Sequence, residues 1–256
     1  MNVKNNKYYK KMKSYDKFLE YYDEIVRGIN SPIEDEVEFL IKDVIEEHKP
    51  GSKNILEVAC GTWTVAAQLQ KEWYNVTWLD ISQNMLDKAK VNMKKWSEII
   101  LWDMTDFDLW KKYDVILCNY NSICHLLKWE DWQKFFTQAS NHLEKDGLLV
   151  FDIVTLFEFE NITKEFAQFY TFWENNVCME MFKKPGMFEW LVKIYEKAED
   201  GRFDLTTEIV QENSFSISKI EKELKLQGFK VAEKTDFHYW EVTAQSERVY
   251  FMCKKK

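Results

Sequence analysis

Between residues 54 and 154, apolar runs of strand length alternate with longer segments whose apolar residues recur every three or four positions. That alternation restricts the chain to few folds. NILEVA leads into TVAAQLQKEW, NVTWLDI into SQNMLDKAKVNMKKW, and EIILWDM and YDVILCNY precede WEDWQKFFTQASNHL and DGLLVFDIV. Strand and helix trading places in units of about 30 residues require right-handed crossovers and mostly parallel strands, with helices on both faces of the sheet. The expected fold is a doubly wound α/β sheet, and the closing runs FKVAEKTDF and RVYFMCKK bring it to seven strands.

The pattern breaks after the fifth strand. Residues 157–214 carry short aromatic and β-branched runs split by Pro185-Gly186 and Asp200-Gly201, which predict a small antiparallel insertion acting as a lid or substrate platform. Residues 15–156 and 215–256 then form the main domain, with two amphipathic N-terminal helices capping one end of it. Residues 1–14, rich in lysine, are expected to be a flexible basic arm. Ser82 is placed to cap one helix, and Ser218 with Glu221 to form a capping box on another that stops at Gly228.

The net charge of -8 disfavours a nucleic-acid partner, and no apolar run approaches the length of a membrane span. The start lacks the apolar core of a secretory signal, so a cytoplasmic protein is expected. Five cysteines without a C-x-x-C pair indicate reduced thiols and no metal site.

In a sheet of this kind a ligand sits beyond the carboxyl ends of the strands. Here those ends carry Glu57 to Thr62, Asp80, Asp103 and Asn119 to Ser122. The first turn, EVACGTWT, does not keep the G-x-G-x-x-G spacing of a dinucleotide site, because Thr64 falls where the third small residue belongs. It has no G-K-[ST] either, so a P-loop is excluded.

These features together resemble the class I S-adenosylmethionine-dependent methyltransferases. Glu57-Val58-Ala59-Cys60-Gly61 matches the first motif, Asp80 the acidic residue closing the second strand, Asp103 that closing the third, and LEKDGLLVFDI the approach to the fifth. The resemblance implies the Rossmann-like methyltransferase fold and S-adenosyl-L-methionine as cofactor, without a metal. It implies that Glu57 orients the methionine end and that Ala59, Cys60 and Gly61 form the turn beneath it. Asp80 would accept the ribose hydroxyls, Ile81 and Met85 flank the adenine, and Asp103 and Met104 meet its amino edge. Tyr22 would cover the cofactor, with Asn119 and Ser122 completing the site.

The segment CNYNSICHL stands where such enzymes hold the acceptor. It lacks the [DN]-P-P-[FYW] box of base-amine methylation and is similar to the glycine N-methyltransferase type, which implies Asn121 and His125 as catalytic residues. The arginine that the glycine enzymes place after the fifth strand falls at Val154, so a glycine acceptor is not expected. The expectation is methyl transfer to a nitrogen or oxygen of a small molecule. An inactive cofactor-binding module and an RNA or protein methyltransferase are the alternatives. Phe172, Trp173 and Tyr195 of the insertion either line an acceptor pocket or form the insertion's own core.

Glycine and tryptophan usage depart from the ordinary together. A chain this long carries roughly 18 glycines at average usage; this one has 7, with 11 tryptophans. Trp63, Trp73, Trp78 and Trp102 stand where the resembled family tends to have glycine. One reading is that UGA codons meaning glycine are written here as tryptophan, with Trp173 a true aromatic. The other is that the chain truly carries these indoles.

Overall fold

The computed structural model describes residues 15–28, 33–62, 64–90, 98–236 and 241–256. The basic arm, Trp63 and His238 lie outside the described residues. The chain divides into two compact units, residues 31–159 with 213–256 and residues 1–30 with 160–212.

The larger unit is built on seven strands: β1 (Asn54–Val58), β2 (Asn75–Asp80), β3 (Glu98–Leu101), β4 (Tyr113–Cys118), β5 (Leu143–Val154), β10 (Phe229–Asp236) and β11 (Arg248–Lys255). Their order is β10-β11-β5-β4-β1-β2-β3. Strands β1 to β5 pair in parallel, and β11 lies antiparallel to both β5 and β10. The chain steps outward from β1 to β3 and then returns to the other side of β1 at β4. The switch point, where a doubly wound sheet opens for a ligand, therefore lies between β1 and β4.

The apolar runs dictate which strands are central. β4 is buried along nearly its whole length, and Leu56, Ile116, Leu117 and Val150 are fully enclosed. Each such side chain stabilises the fold by about 1.5–3 kcal/mol. Helix α2 (Ile33–Phe39) runs through a π-helical stretch, Leu40–Ile45, into the short turn α3 (Glu46–His48). Leu40, Val44 and Ile45 join a core cluster with Ile55, Val65, Leu69 and Val115 from β1, α4 (Thr64–Lys71) and β4. In another part of the core Phe136 of α6 (Trp129–His142) meets Phe151, which stacks on Phe251 at 4.8 Å between ring centroids.

Ser82 caps α5 (Gln83–Lys90) as expected, its hydroxyl accepting the Met85 N–H at 3.3 Å. The capping box does not form. Helix α8 (Ile217–Leu226) begins one residue before Ser218, with Ser216 at the cap.

In the smaller unit β6 (Gln168–Phe172), β7 (Asn175–Lys184), β8 (Met187–Lys197) and β9 (Phe203–Glu212) form an antiparallel meander. Helix α7 (Leu156–Ile162) precedes it. Helix α1 (Leu19–Gly28), expected to cap one end of the main domain, packs on this meander: Phe18, Tyr21 and Ile25 cluster with Val177, Met179, Val192, Ile194 and Val210. Glu208, fully buried, fixes the contact by accepting the Lys17 and Phe18 N–H groups at 2.5 and 2.8 Å. Phe172 meets Tyr21 at 5.2 Å and so belongs to this unit's core. Trp173 is fully exposed at the β6–β7 turn.

Candidate active site

At the carboxyl ends of β1 and β2 the backbone turns sharply, with Ala59 at φ +54° and Gly61 at φ +57°. A Cβ at Gly61 would meet nothing within 4 Å, so it is the left-handed backbone that calls for glycine there, and the space beside it is open. The turn is laid across the end of β2. Cys60 N–H donates to the Leu79 carbonyl at 3.1 Å, and Gly61 N–H donates to Asp80 Oδ2 at 2.8 Å.

Asp80 Oδ1 accepts the Ser82 N–H, also at 2.8 Å, so one carboxylate holds the loops after both strands. Each of its oxygens keeps a further lone pair for a ligand hydroxyl. Burial raises the Asp80 pKa; the Ser82 and Gly61 amides, and the nearby charge of His125, pull it back.

Around this centre the expected adenine neighbours divide by exposure. Ile81 is 67% exposed, whereas Met85 and Met104 are buried. Asp103 is half-buried and uses Oδ1 to accept both the N–H and the hydroxyl of Thr105 at 2.8 Å. Glu57 is buried inside the end of β1, paired in register with Trp78 and Leu117. Burial pushes the Cys60 and Cys118 thiols well up, which keeps them protonated and excludes a thiolate nucleophile at either position.

The loop after β4 is built with equal care for its backbone. Tyr120 and Asn121 take left-handed conformations in succession, φ +55° and +47°, before the 3-10 turn Ser122–His125. Ser122 donates its hydroxyl to the Asn119 carbonyl at 2.7 Å. Asn213 fastens the far side, its N–H and Nδ2 donating to the Cys124 and Leu127 carbonyls at 2.7 and 2.9 Å. The side chain of Asn119 is buried, and neither its Oδ1 nor its Nδ2 has a hydrogen-bond partner among the described residues. A buried amide left open in this way calls for a polar ligand. An S-adenosylmethionine fits the group present: an open left-handed turn, a shared carboxylate, an exposed apolar side chain and an unfilled amide at one sheet edge.

Asp152, Arg248, Glu36 and Asn213 are not among the residues expected at the site. Asp152 left a signal, an acid inside the apolar run LLVFDIV; the others left none. Tyr22 belongs to the smaller unit, where its ring meets Tyr15 and Phe18 edge-on. Among the described residues no group of three or more His, Cys, Asp or Glu is arranged to hold a metal ion, and no helix is long and apolar enough to cross a membrane.

A family model described as "Methyltransferase domain" matches residues 55–147. A Geobacillus protein named as a methyltransferase is 27% identical over 252 residues, covering 94% of this chain and all of the relative. The glycine/sarcosine N-methyltransferase of Aphanothece halophytica is 30% identical over 140 residues, about half of each chain. An S-adenosylmethionine-bound amino pentose methyltransferase from Micromonospora echinaspora superimposes with a TM-score of 0.74, at 16% identity, over 92% of this chain and 96% of that one. The fold is that of the Rossmann-like methyltransferases.

Proposed function

We propose that this chain, a methyltransferase that draws on S-adenosylmethionine, delivers the methyl group to an amine nitrogen of a small molecule that has no carboxylate beside the amine. The observation that carries this reading is the buried, unpartnered amide of Asn119 at the end of β4, which opens the loop that carries His125. Two of the similar proteins are named for amine acceptors, one an amino acid and one an amino sugar. The cofactor supplies a methyl group on a sulfonium, already activated for displacement.

The chain's own residues have a smaller task. Gly61 and Asp80 fix the loops around the donor, and the Asn119 amide orients a polar group at the end of β4. An imidazole nitrogen of His125 takes the proton that the acceptor nitrogen sheds as its lone pair forms the new N–C bond. Val154 stands where the glycine enzymes of the resembled family keep an arginine. The guanidinium nearest to it in register, Arg248, is committed to Asp152 and Glu36. No free cation is thereby offered to an acceptor carboxylate at that position.

The test is release of S-adenosylhomocysteine against a panel of amino sugars, simple amines, amino acids and alcohols, with the methylated atom identified by mass spectrometry. Turnover with amino sugars or amines but not with glycine is the expected result. Activity confined to alcohols, or none on any of the panel while cofactor binds, overturns it. His125→Ala should lower kcat by about a hundredfold or more with cofactor affinity retained.

A further inference from the structure

A buried ionic cluster lies behind the acceptor loop. Asp152 Oδ2 accepts both the Asn121 N–H and Arg248 Nε, each at 2.7 Å. The Arg248 guanidinium lies over the rings of Tyr120 at 5.3 Å and Tyr250 at 4.9 Å. Glu36 stands 3.8 Å from Arg248, accepts the Tyr250 hydroxyl at 3.3 Å and is hydrogen-bonded by Tyr120. Tyr120 and Asn121 are the two consecutive left-handed residues of the loop, and side chains persist in that conformation only when their surroundings over-determine it.

We propose that Arg248 is a positioning residue for methyl transfer. Its contacts with Asp152 and Tyr120 enforce the left-handed pair, which in turn sets where His125 stands. The role of His125 rests on the reading above; the hold on the loop does not.

Arg248→Lys keeps the charge but loses the planar stacking and the fixed Nε–carboxylate geometry. Amide hydrogen exchange across residues 119–125 should quicken while that of residues 55–62 stays unchanged. With an accepted amine, kcat should fall by about tenfold to a hundredfold, since displacement of a reacting group by about 1 Å costs that much. Cofactor affinity by calorimetry should hold. Unchanged exchange in the loop overturns the proposal whether or not an acceptor is known. Quickened exchange with an unchanged kcat, or parallel losses in kcat and cofactor affinity, overturns the positioning role. If Arg248→Lys does not fold, Tyr120→Phe, which removes only the hydroxyl aimed at Glu36, carries the same readouts.

Of the eight non-glycine residues with positive φ among those described, three are tryptophan: Trp73, Trp110 and Trp173. All are exposed, at 83%, 93% and 100%, so no burial offsets a conformation that costs a bulky residue about 1 kcal/mol or more. Two of the places are ones that the chain elsewhere gives to glycine. Trp173 turns β6 into β7 at φ +54°, as Gly186 and Gly201 turn the next two hairpins at +76° and +82°. Trp73 follows α4 at φ +68°, where Tyr74 N–H reaches back to the Leu69 carbonyl, as Gly228 follows α8 at +86°.

We infer that the producing cell inserts glycine at positions 73, 110 and 173, from UGA codons that stand as tryptophan in this sequence. The structure redraws the set read from the residues. Trp78 fills the core of β2, Trp102 is not among the left-handed residues, and Trp173, taken above as a true aromatic, joins it. The gene decides: UGA at all three positions, with UGG at buried Trp132, is the expected finding, and UGG at any of the three removes that position. The chain carrying Trp73→Gly, Trp110→Gly and Trp173→Gly should melt higher than the chain as written; an equal or lower melting temperature overturns the physical argument.

Discussion

Two carboxylates at the same edge of the larger sheet, Asp80 at the end of β2 and Asp152 near the end of β5, do related work with different neighbours. Each accepts a main-chain N–H from a loop containing a left-handed residue, Gly61 in one case and Asn121 in the other. Asp152 also faces the Arg248 guanidinium, so its charge is answered inside the protein. Asp80 is held by main-chain amides, and has no ion pair with a lysine or arginine among the described residues. A buried carboxylate with a built-in counter-charge serves architecture. One lacking it is costly to the empty fold and keeps capacity for a ligand.

Removing each carboxylate should separate the two roles. The largest effect is expected for Asp152→Ala, which leaves the Arg248 charge buried beside Glu36 alone; unfolding in urea should show a loss of about 3–5 kcal/mol. A loss below about 1 kcal/mol would mean that Glu36 suffices and that the pairing with Asp152 is incidental.

Asp80→Asn should act the other way round. Hydrogen bonds to a charged acceptor are worth about 1.5–3 kcal/mol, so cofactor affinity measured by calorimetry should drop roughly tenfold to a hundredfold. The empty protein should lose little, because the neutral amide is not charged against burial. A destabilisation matching that of Asp152→Ala would erase the distinction. Gly61→Ala is a milder probe of the same turn: with space for the Cβ but φ at +57°, it should cost about 1 kcal/mol in stability through backbone strain alone.

The smallest effect is on pH dependence. The Asp80 pKa is raised on folding, so its contribution to stability is full below the unfolded carboxylate value of about 3.9 and is lost as pH rises through the folded value. Asp80→Asn should therefore flatten that part of the empty protein's stability profile. Cofactor affinity has the opposite slope, weakening as acid protonates the carboxylate; equal slopes for wild type and variant would show that Asp80 does not titrate in this window.

The strand ends were legible because a parallel strand places its last residues at one edge whatever the rest of the chain does. Glu57, Gly61, Asp80, Asp103 and Asn119 could be read from the point where each apolar run stops. The hold behind the acceptor loop could not be read, since Glu36, Asp152 and Arg248 approach one another from stretches separated by 96 residues or more. Charge near a strand end carries no record of its partner. The first helix shows the same limit: its spacing announces an apolar face, but that face fits any apolar surface, and α1 packs on the antiparallel meander.

Periodicity and turn residues fixed the alternating α/β order, the antiparallel insertion and the residues at the sheet's edge, because these follow from local backbone preference and from which side chains avoid water. Tertiary structure alone decided which buried charge is answered from within, which loop is held left-handed, and which tryptophans stand in the places of glycine. Those outcomes depend on contacts between distant segments and on φ angles that only the folded chain enforces.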